Sequence, residues 1–209
     1  MDTEYPILNN ILSLGEPDTW RYGLDVGGAS VSSWLAGVKP HDIRRICFIG
    51  CGTSHYAAQV AKYIVEHIAH IPAEAMQAWA FATYAEPAVL GCHTLVVGIS
   101  ATGESDAVRD ALTRASKTGA LTLAITANAG SSVARAAGGC IVTGGEDDRI
   151  LVKTKSYVLS LVAVYLLAAA LAEAGDVSNA ESTSYWRAQI TQAAEGTRRI
   201  LGSQQPEIK

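Results

Sequence analysis

The sequence is short of paired cysteines and of positive charge, and both shortages limit its chemistry. Four cysteines occur in 209 residues without a CxxC pair, so their spacing indicates no disulfide framework and favours a reducing compartment. The formal net charge is -4 and no basic patch stands out, which argues against nucleic acid as a partner. Residues 1–6 lack the basic and apolar regions of a signal peptide, and we therefore expect a cytoplasmic protein.

No apolar run is long enough to span a membrane. The longest, residues 158–172, is interrupted only by Ser160 and is about one helical turn short of a span. It predicts a buried helix, with no membrane as a partner. His67 and His70 lie three residues apart on a predicted helix, but no cysteine or carboxylate completes a ligand set. We expect no metal and no cofactor.

The sequence is rich in short apolar segments that alternate with helical patterns. Strands are predicted at residues 43–49, 73–77, 94–99, 121–126 and 140–143. Helices are predicted at residues 6–14, 19–35, 55–69, 78–84, 104–118, 155–174 and 180–201, with a short helix after Ser131 as its N-cap. Gly119 is the predicted C-cap of the helix at 104–118. This alternation predicts an α/β fold, a three-layer αβα sandwich around a five-stranded parallel sheet.

The chain divides into three parts by the same patterns. Residues 1–40 form an N-terminal helical segment, residues 41–175 form the α/β domain, and residues 176–209 form a C-terminal helix. The domain contains no internal repeat, and no segment is of low complexity.

Two polar turns follow the first and third predicted strands. Thr53 and Ser54 come after one strand, and the segment from Ser100 to Ser105 comes after the other. In parallel sheets, ligands bind beyond the carboxyl ends of the strands, near the switch in strand order. Hydroxyl groups, free backbone N–H groups and helix N-termini suit an anion. A flavodoxin-like strand order would bring the two turns together, which favours a phosphorylated small molecule as ligand.

Five motifs occur in the order found in sugar isomerase (SIS) domains. They are Cys51-Gly52-Thr53-Ser54, Ser100-Ala101-Thr102-Gly103-Glu104-Ser105, residues 121–128, Gly130-Ser131-Ser132 and Thr154-Lys155-Ser156-Tyr157. Over about residues 43–172 the chain resembles the first half of the isomerase domain of glutamine–fructose-6-phosphate aminotransferase and of sugar-amine phosphate deaminase/isomerases. The resemblance implies a flavodoxin-like SIS fold and a hexose or amino-hexose phosphate as ligand.

The resemblance also assigns residues to that ligand. The phosphate would contact Thr53, Ser54, Ser100, Thr102 and Ser105, with the backbone N–H groups of Gly103 and Glu104 completing the cradle. Further contacts with the ligand or with an interface are assigned to Cys51, Gly52, Ala101 and Lys155. Ala101 stands where the aminotransferase commonly has Gln, so an amide donor is missing.

Catalytic residues are not identified in this sequence. The resemblance places a Glu, a His and a Lys for the proton transfer in a second SIS domain, toward which the C-terminal helix would lead. We therefore expect a homodimer or a pairing with a second SIS chain. Asp2 follows Met1 where a glutaminase would have its nucleophilic cysteine, so no glutaminase activity is expected.

Several of these residues also have simpler interpretations. The hydroxyl groups could be helix caps, and Lys155 could be a solvated residue of a first helical turn. Cys51 could be a reactive thiolate, although a packed small residue is the simpler interpretation. His55 is interpreted as a histidine on a helix surface, and Glu104 as a helix-dipole partner rather than an acid or base.

Two other functions remain open at this point. The first is a non-catalytic regulatory protein that senses phosphosugars. Its forty residues before the first strand are too few and too acidic for a convincing DNA-binding domain. The second is a nucleotide-binding Rossmann domain based on Gly50 and Gly52, but the third glycine and the acidic residue after the second strand are both absent.

Overall fold

The computed structural model describes residues 6–86, 90–144, 153–177 and 180–204. Five parallel strands form one sheet in the order β2-β1-β3-β4-β5. The strands are β1 (Arg45–Gly50), β2 (Ala73–Gln77), β3 (Thr94–Ile99), β4 (Leu121–Thr126) and β5 (Cys140–Val142). The predicted five-stranded parallel sheet is confirmed. The strand order reverses between β1 and β3, which pair directly, with Ile49 opposite Gly98.

Helices cover both faces of the sheet. They are α1 (Pro6–Ser13), α2 (Pro17–Leu35), α3 (Thr53–Ile68), α4 (Ala78–Tyr84), α5 (Asp106–Ser116), α6 (Ser132–Ala136), α7 (Lys155–Ala174) and α8 (Thr183–Gln204). A short 3₁₀-helix, Pro40–Asp42, precedes β1. Apolar residues of α2, α3 and α7 share one core cluster, and those of α4, α5 and α6 share the other. The three predicted layers are therefore present.

The central strands are buried on both sides, as parallel strands covered by helices must be. Phe48 and Val97 point into the core beneath α3 and α7, whereas Ile49 and Val96 point into the core beneath α4 and α5. A Cβ atom at Gly98 would lie 2.8 Å from a methyl carbon of Leu112, so this glycine allows α5 to pack close to β3.

The ends of α5 differ from the prediction. The helix begins at Asp106 instead of residue 104, because Ser105 has extended backbone angles (φ -78°, ψ 111°) and serves as its N-cap. The prediction of Gly119 as the C-cap is wrong: Lys117 occupies that position. Gly119 instead adopts the left-handed conformation, with φ +80°, two residues later.

Helix α7 is the one helix in the described ranges that is long and apolar enough to cross a membrane by length and composition. In the fold, 61% of its most apolar window is buried. It packs between α2 and α3 against the sheet, with Leu159, Leu166 and Leu167 inaccessible to solvent. This packing confirms the predicted buried helix.

Candidate functional site

The first polar turn is shaped by two glycines at the carboxyl end of β1. A Cβ atom at Gly50 would lie 2.6 Å from the backbone of Ser54, so the absence of a side chain lets α3 begin directly over the strand. Gly52 has φ +54° and is the N-cap of α3. It provides no side-chain cap, so no hydroxyl group competes for the first N–H groups of α3. Thr53 and Ser54 follow, both partly exposed.

The second polar turn is braced by its own hydrogen bonds. Ser100 is 5% exposed, and its Oγ accepts a hydrogen bond from the N–H of Gly103 at 3.1 Å. The N–H of Glu104 donates to Oγ1 of Thr102 at 3.3 Å. The two backbone groups predicted to complete a phosphate cradle are therefore engaged within the turn, and they must exchange these bonds to reach a ligand.

Residues after β4 support the second turn from behind. Ser132 donates from its Oγ to the carbonyl oxygen of Gly103 at 3.1 Å, and the Val133 N–H donates to the same oxygen at 2.9 Å. Ser131 is fully buried and accepts from the N–H of Ala134 at 3.2 Å, which confirms the predicted N-cap. Gly103 has φ +76° and lies against Ser131.

The two turns meet at the edge of the sheet. The hydroxyl of Ser105 donates to the sulfur of Cys51 at 3.8 Å across 54 positions of sequence. Neither α3 nor α5 receives a side-chain cap. Helix capping therefore does not account for the hydroxyl groups of Thr53, Ser54 and Ser105. Two helix N-termini, each the positive end of a helix dipole, lie at the same place as these hydroxyls.

Glu104 and Lys155 lie at this end of the molecule in different roles. Glu104 is exposed, and its Oε1 accepts from the N–H of Ser132 at 3.3 Å, so its carboxylate faces the start of α6. Lys155 begins α7. The opposite half of α7 lies beside Pro40, ahead of β1, which places Lys155 at the carboxyl edge of the sheet with the two turns.

His55 departs from its prediction as a surface histidine. It is 9% exposed, because the first turn of α3 is pressed onto β1 at Gly50. Its Nε2 lies 3.0 Å from the side-chain nitrogen of Gln59, and its Nδ1 is buried without a hydrogen-bond partner. A side chain directly after a phosphate-binding motif was the sequence signal for this residue, and its burial required the structure.

The cysteines in strands differ from Cys51 in their surroundings. Burial raises the pKa of the Cys47 thiol far above its usual range, and the nearby Glu74 carboxylate adds to this shift. Burial also raises the pKa of Cys140. Both behave as small apolar residues, whereas Cys51 is partly exposed at the site. All four cysteines are free.

Comparison with known proteins identifies the family. The glutamine–fructose-6-phosphate aminotransferase of Gloeobacter violaceus is 40% identical over 131 residues, covering 63% of this chain and 21% of that protein. Its counterpart from Clostridium acetobutylicum is 31% identical over 164 residues, covering 78% of this chain and 27% of that protein. The chain thus spans about a quarter of the length of these curated relatives.

Solved structures share the fold at lower identity. The C-terminal domain of the Francisella tularensis glucosamine-fructose-6-phosphate aminotransferase has a TM-score of 0.78 and 23% identity, covering 95% of this chain and 55% of that chain. An Escherichia coli CFT073 protein in complex with a phosphosugar has a TM-score of 0.68 and 19% identity, covering 88% and 99%. The family model of the SIS domain matches residues 41–170, more than half of the sequence, and the chain therefore belongs to the SIS domain family.

Proposed function

We propose that the chain is the phosphosugar-binding domain of a sugar-phosphate isomerase or amino-sugar-phosphate deaminase. The observation that carries the proposal is the contact between Ser105 and Cys51, which joins two uncapped helix N-termini and their hydroxyl groups at the switch in strand order. A phosphate dianion matches this combination of donors and positive dipole ends. The names of the aminotransferase relatives and the phosphosugar complex of the Escherichia coli protein support a phosphorylated sugar over other anions.

Each polar group has a proposed role in binding. The hydroxyls of Thr53, Ser54 and Ser105 donate to phosphate oxygens from the ends of α3 and α5. Ser100 and Thr102 hold the shape of the second turn through the bonds to Gly103 and Glu104. Ala101 contributes no side-chain donor, so the grip on the sugar phosphate differs from that of a domain with Gln at this position.

The proton transfer of an isomerase requires a general base, and we assign it to a second SIS domain. The turn itself offers one carboxylate, Glu104, which is engaged at the start of α6. A base must lie within hydrogen-bond reach of the proton that it removes. We therefore propose that catalysis needs a homodimer partner or a paired SIS chain. Free thiols at all four cysteines support a reducing, cytoplasmic location.

Ligand binding tests the proposal directly. We expect fructose 6-phosphate or glucosamine 6-phosphate to raise the melting temperature of the purified chain, and unphosphorylated fructose to leave it unchanged. Ser105→Ala should weaken binding about tenfold, since a hydrogen bond to a charged group contributes about 1.5–3 kcal/mol. Ser116→Ala, at the exposed far end of the same helix, is the matched control. A folded chain that no sugar phosphate stabilises would contradict the proposal.

A non-catalytic phosphosugar sensor is the second candidate, and the engagement of Glu104 favours it. Such a protein would bind the same esters without converting them. Isomerase and deaminase assays separate the two functions when the chain is tested alone and together with a second SIS chain. Turnover in either arm supports the enzyme, whereas binding without turnover in both supports the sensor.

A further inference from the structure

His55 lies beside the proposed phosphate site but is not one of the residues assigned to it. It is the third residue of α3, directly after Ser54. Side chains of a helix lean toward its N-terminus, so the imidazole begins at the end of α3 that carries the site. It is 9% exposed and is one of eight buried polar residues in the described ranges.

The hydrogen bond of His55 fixes where its proton lies. The side-chain nitrogen of Gln59 lies 3.0 Å from Nε2. A carboxamide nitrogen only donates, so Nε2 accepts and the neutral ring carries its proton on Nδ1. That Nδ1–H group is buried and has no hydrogen-bond partner. Gln59 is exposed and approaches from the outer side of the helix.

An unpaired buried donor destabilises a fold that could use an apolar residue at the same position. Leaving such a group unsatisfied costs more than replacing it with an apolar side chain. Unsatisfied buried polar groups are rare, and one beside a binding site indicates a partner that arrives with the ligand. The surrounding end of α3 already favours an oxygen acceptor through its dipole and hydroxyl groups.

We infer that the Nδ1–H group of His55 donates to an oxygen of the bound sugar phosphate, an inference that rests on the proposed function. Gln59 is then a positioning residue, which holds the imidazole in the tautomer that donates toward the ligand. The site takes a phosphorylated sugar through one more neutral donor than the two hydroxyl-rich turns supply. His55 thereby adds specificity for the ligand without adding charge.

Nitrogen NMR of the histidine rings tests this inference in the unmodified protein. The spectra are recorded at about pH 8, above the range in which unperturbed histidines titrate. We expect His55 to be protonated at Nδ1, and its Nδ1 resonance to move on saturation with fructose 6-phosphate. His67, exposed at the far end of α3, is the internal control and should not move. Protonation at Nε2, or an unmoved Nδ1 resonance at saturation, would overturn the inference.

Two substitutions give a second measurement. His55→Phe should weaken the binding of fructose 6-phosphate about tenfold, in line with the loss of one hydrogen bond to a charged ligand. It should not lower the melting temperature of the protein without ligand, because the unpaired donor is gone. His55→Asn places an amide N–H near the position of Nδ1 and should restore most of the affinity.

The outcomes separate this inference from the proposed function. If the unmodified chain binds no sugar phosphate, the proposed function fails. If it binds and His55→Phe binds equally well, the inference about His55 alone is wrong. A loss of stability in His55→Phe with unchanged affinity identifies a packing residue and also overturns the inference. If His55→Phe does not fold, the NMR measurement decides.

Discussion

Replacing Gly103 with alanine tests how the second turn is built. Gly103 has φ +76°, a left-handed conformation that L-residues adopt only with strain. A Cβ atom there would lie 2.8 Å from Oγ1 of Thr126 and closer still to the side chain of Ser131. Neither neighbour can move freely, because both are fully buried and Ser131 caps α6.

The expected loss of stability has two parts. The left-handed conformation costs alanine about 1–2 kcal/mol. Overpacking against Ser131 and Thr126 adds about 1–3 kcal/mol. The sum is about 2–5 kcal/mol of unfolding free energy, which corresponds to a fall of about 4–20 °C in melting temperature for a chain of this size. Sugar-phosphate binding should be lost as well, since the carbonyl of Gly103 holds α6 against the turn.

Gly119→Ala is the matched control. Gly119 has φ +80°, nearly the same backbone, but nothing lies within 4 Å of the position that a Cβ atom would take there. It should lose only the conformational part, about 1–2 kcal/mol. Urea unfolding followed by circular dichroism measures both variants against the unmodified chain. Equal losses in the two variants would refute the reasoning, because the contact with Ser131 would then contribute nothing.

Two further predictions concern the support of the site and the strand cysteines. Ser131→Ala should lower the unfolding free energy by about 0.5–2 kcal/mol through loss of the α6 cap. The same urea titration measures it, and a value equal to that of Ser116→Ala would contradict the role of the cap. Cys47 should resist maleimide at pH 7, because its raised pKa and burial leave little accessible thiolate, whereas the exposed Cys92 should react. Peptide mass spectrometry of the labelled native and urea-unfolded chain checks this, and equal labelling of the two native thiols would contradict it.

The sequence predicted the sheet well because each strand has a strong local pattern. The apolar runs at Thr94–Ile99 and Leu121–Thr126 begin and end where the prediction placed them, and so does α7. Buried parallel strands and an apolar core helix are fixed by hydrophobic composition along the chain itself. Helix ends were less accurate, as at α5, where the turn after β3 keeps Glu104 and Ser105 outside the helix.

The candidate site was predictable as a set of residues but not as a set of bonds. The hydroxyl motifs indicate which turns matter, and the two turns do lie together at Cys51 and Ser105. The internal bonds of the second turn and the burial of His55 depend on contacts with β1 and with residues after β4. Such contacts arise from tertiary packing, which local patterns do not encode.

The position of α2 against α7 has a consequence for the extent of the folding unit. The segment shared with the family begins at residue 41, yet Trp20, Leu24 and Val31 of α2 are buried in the same core cluster as α7. A helix as apolar as α7 would present that face to water if the first forty residues were removed. The piece of sequence that the family has in common is therefore smaller than the piece that must fold together.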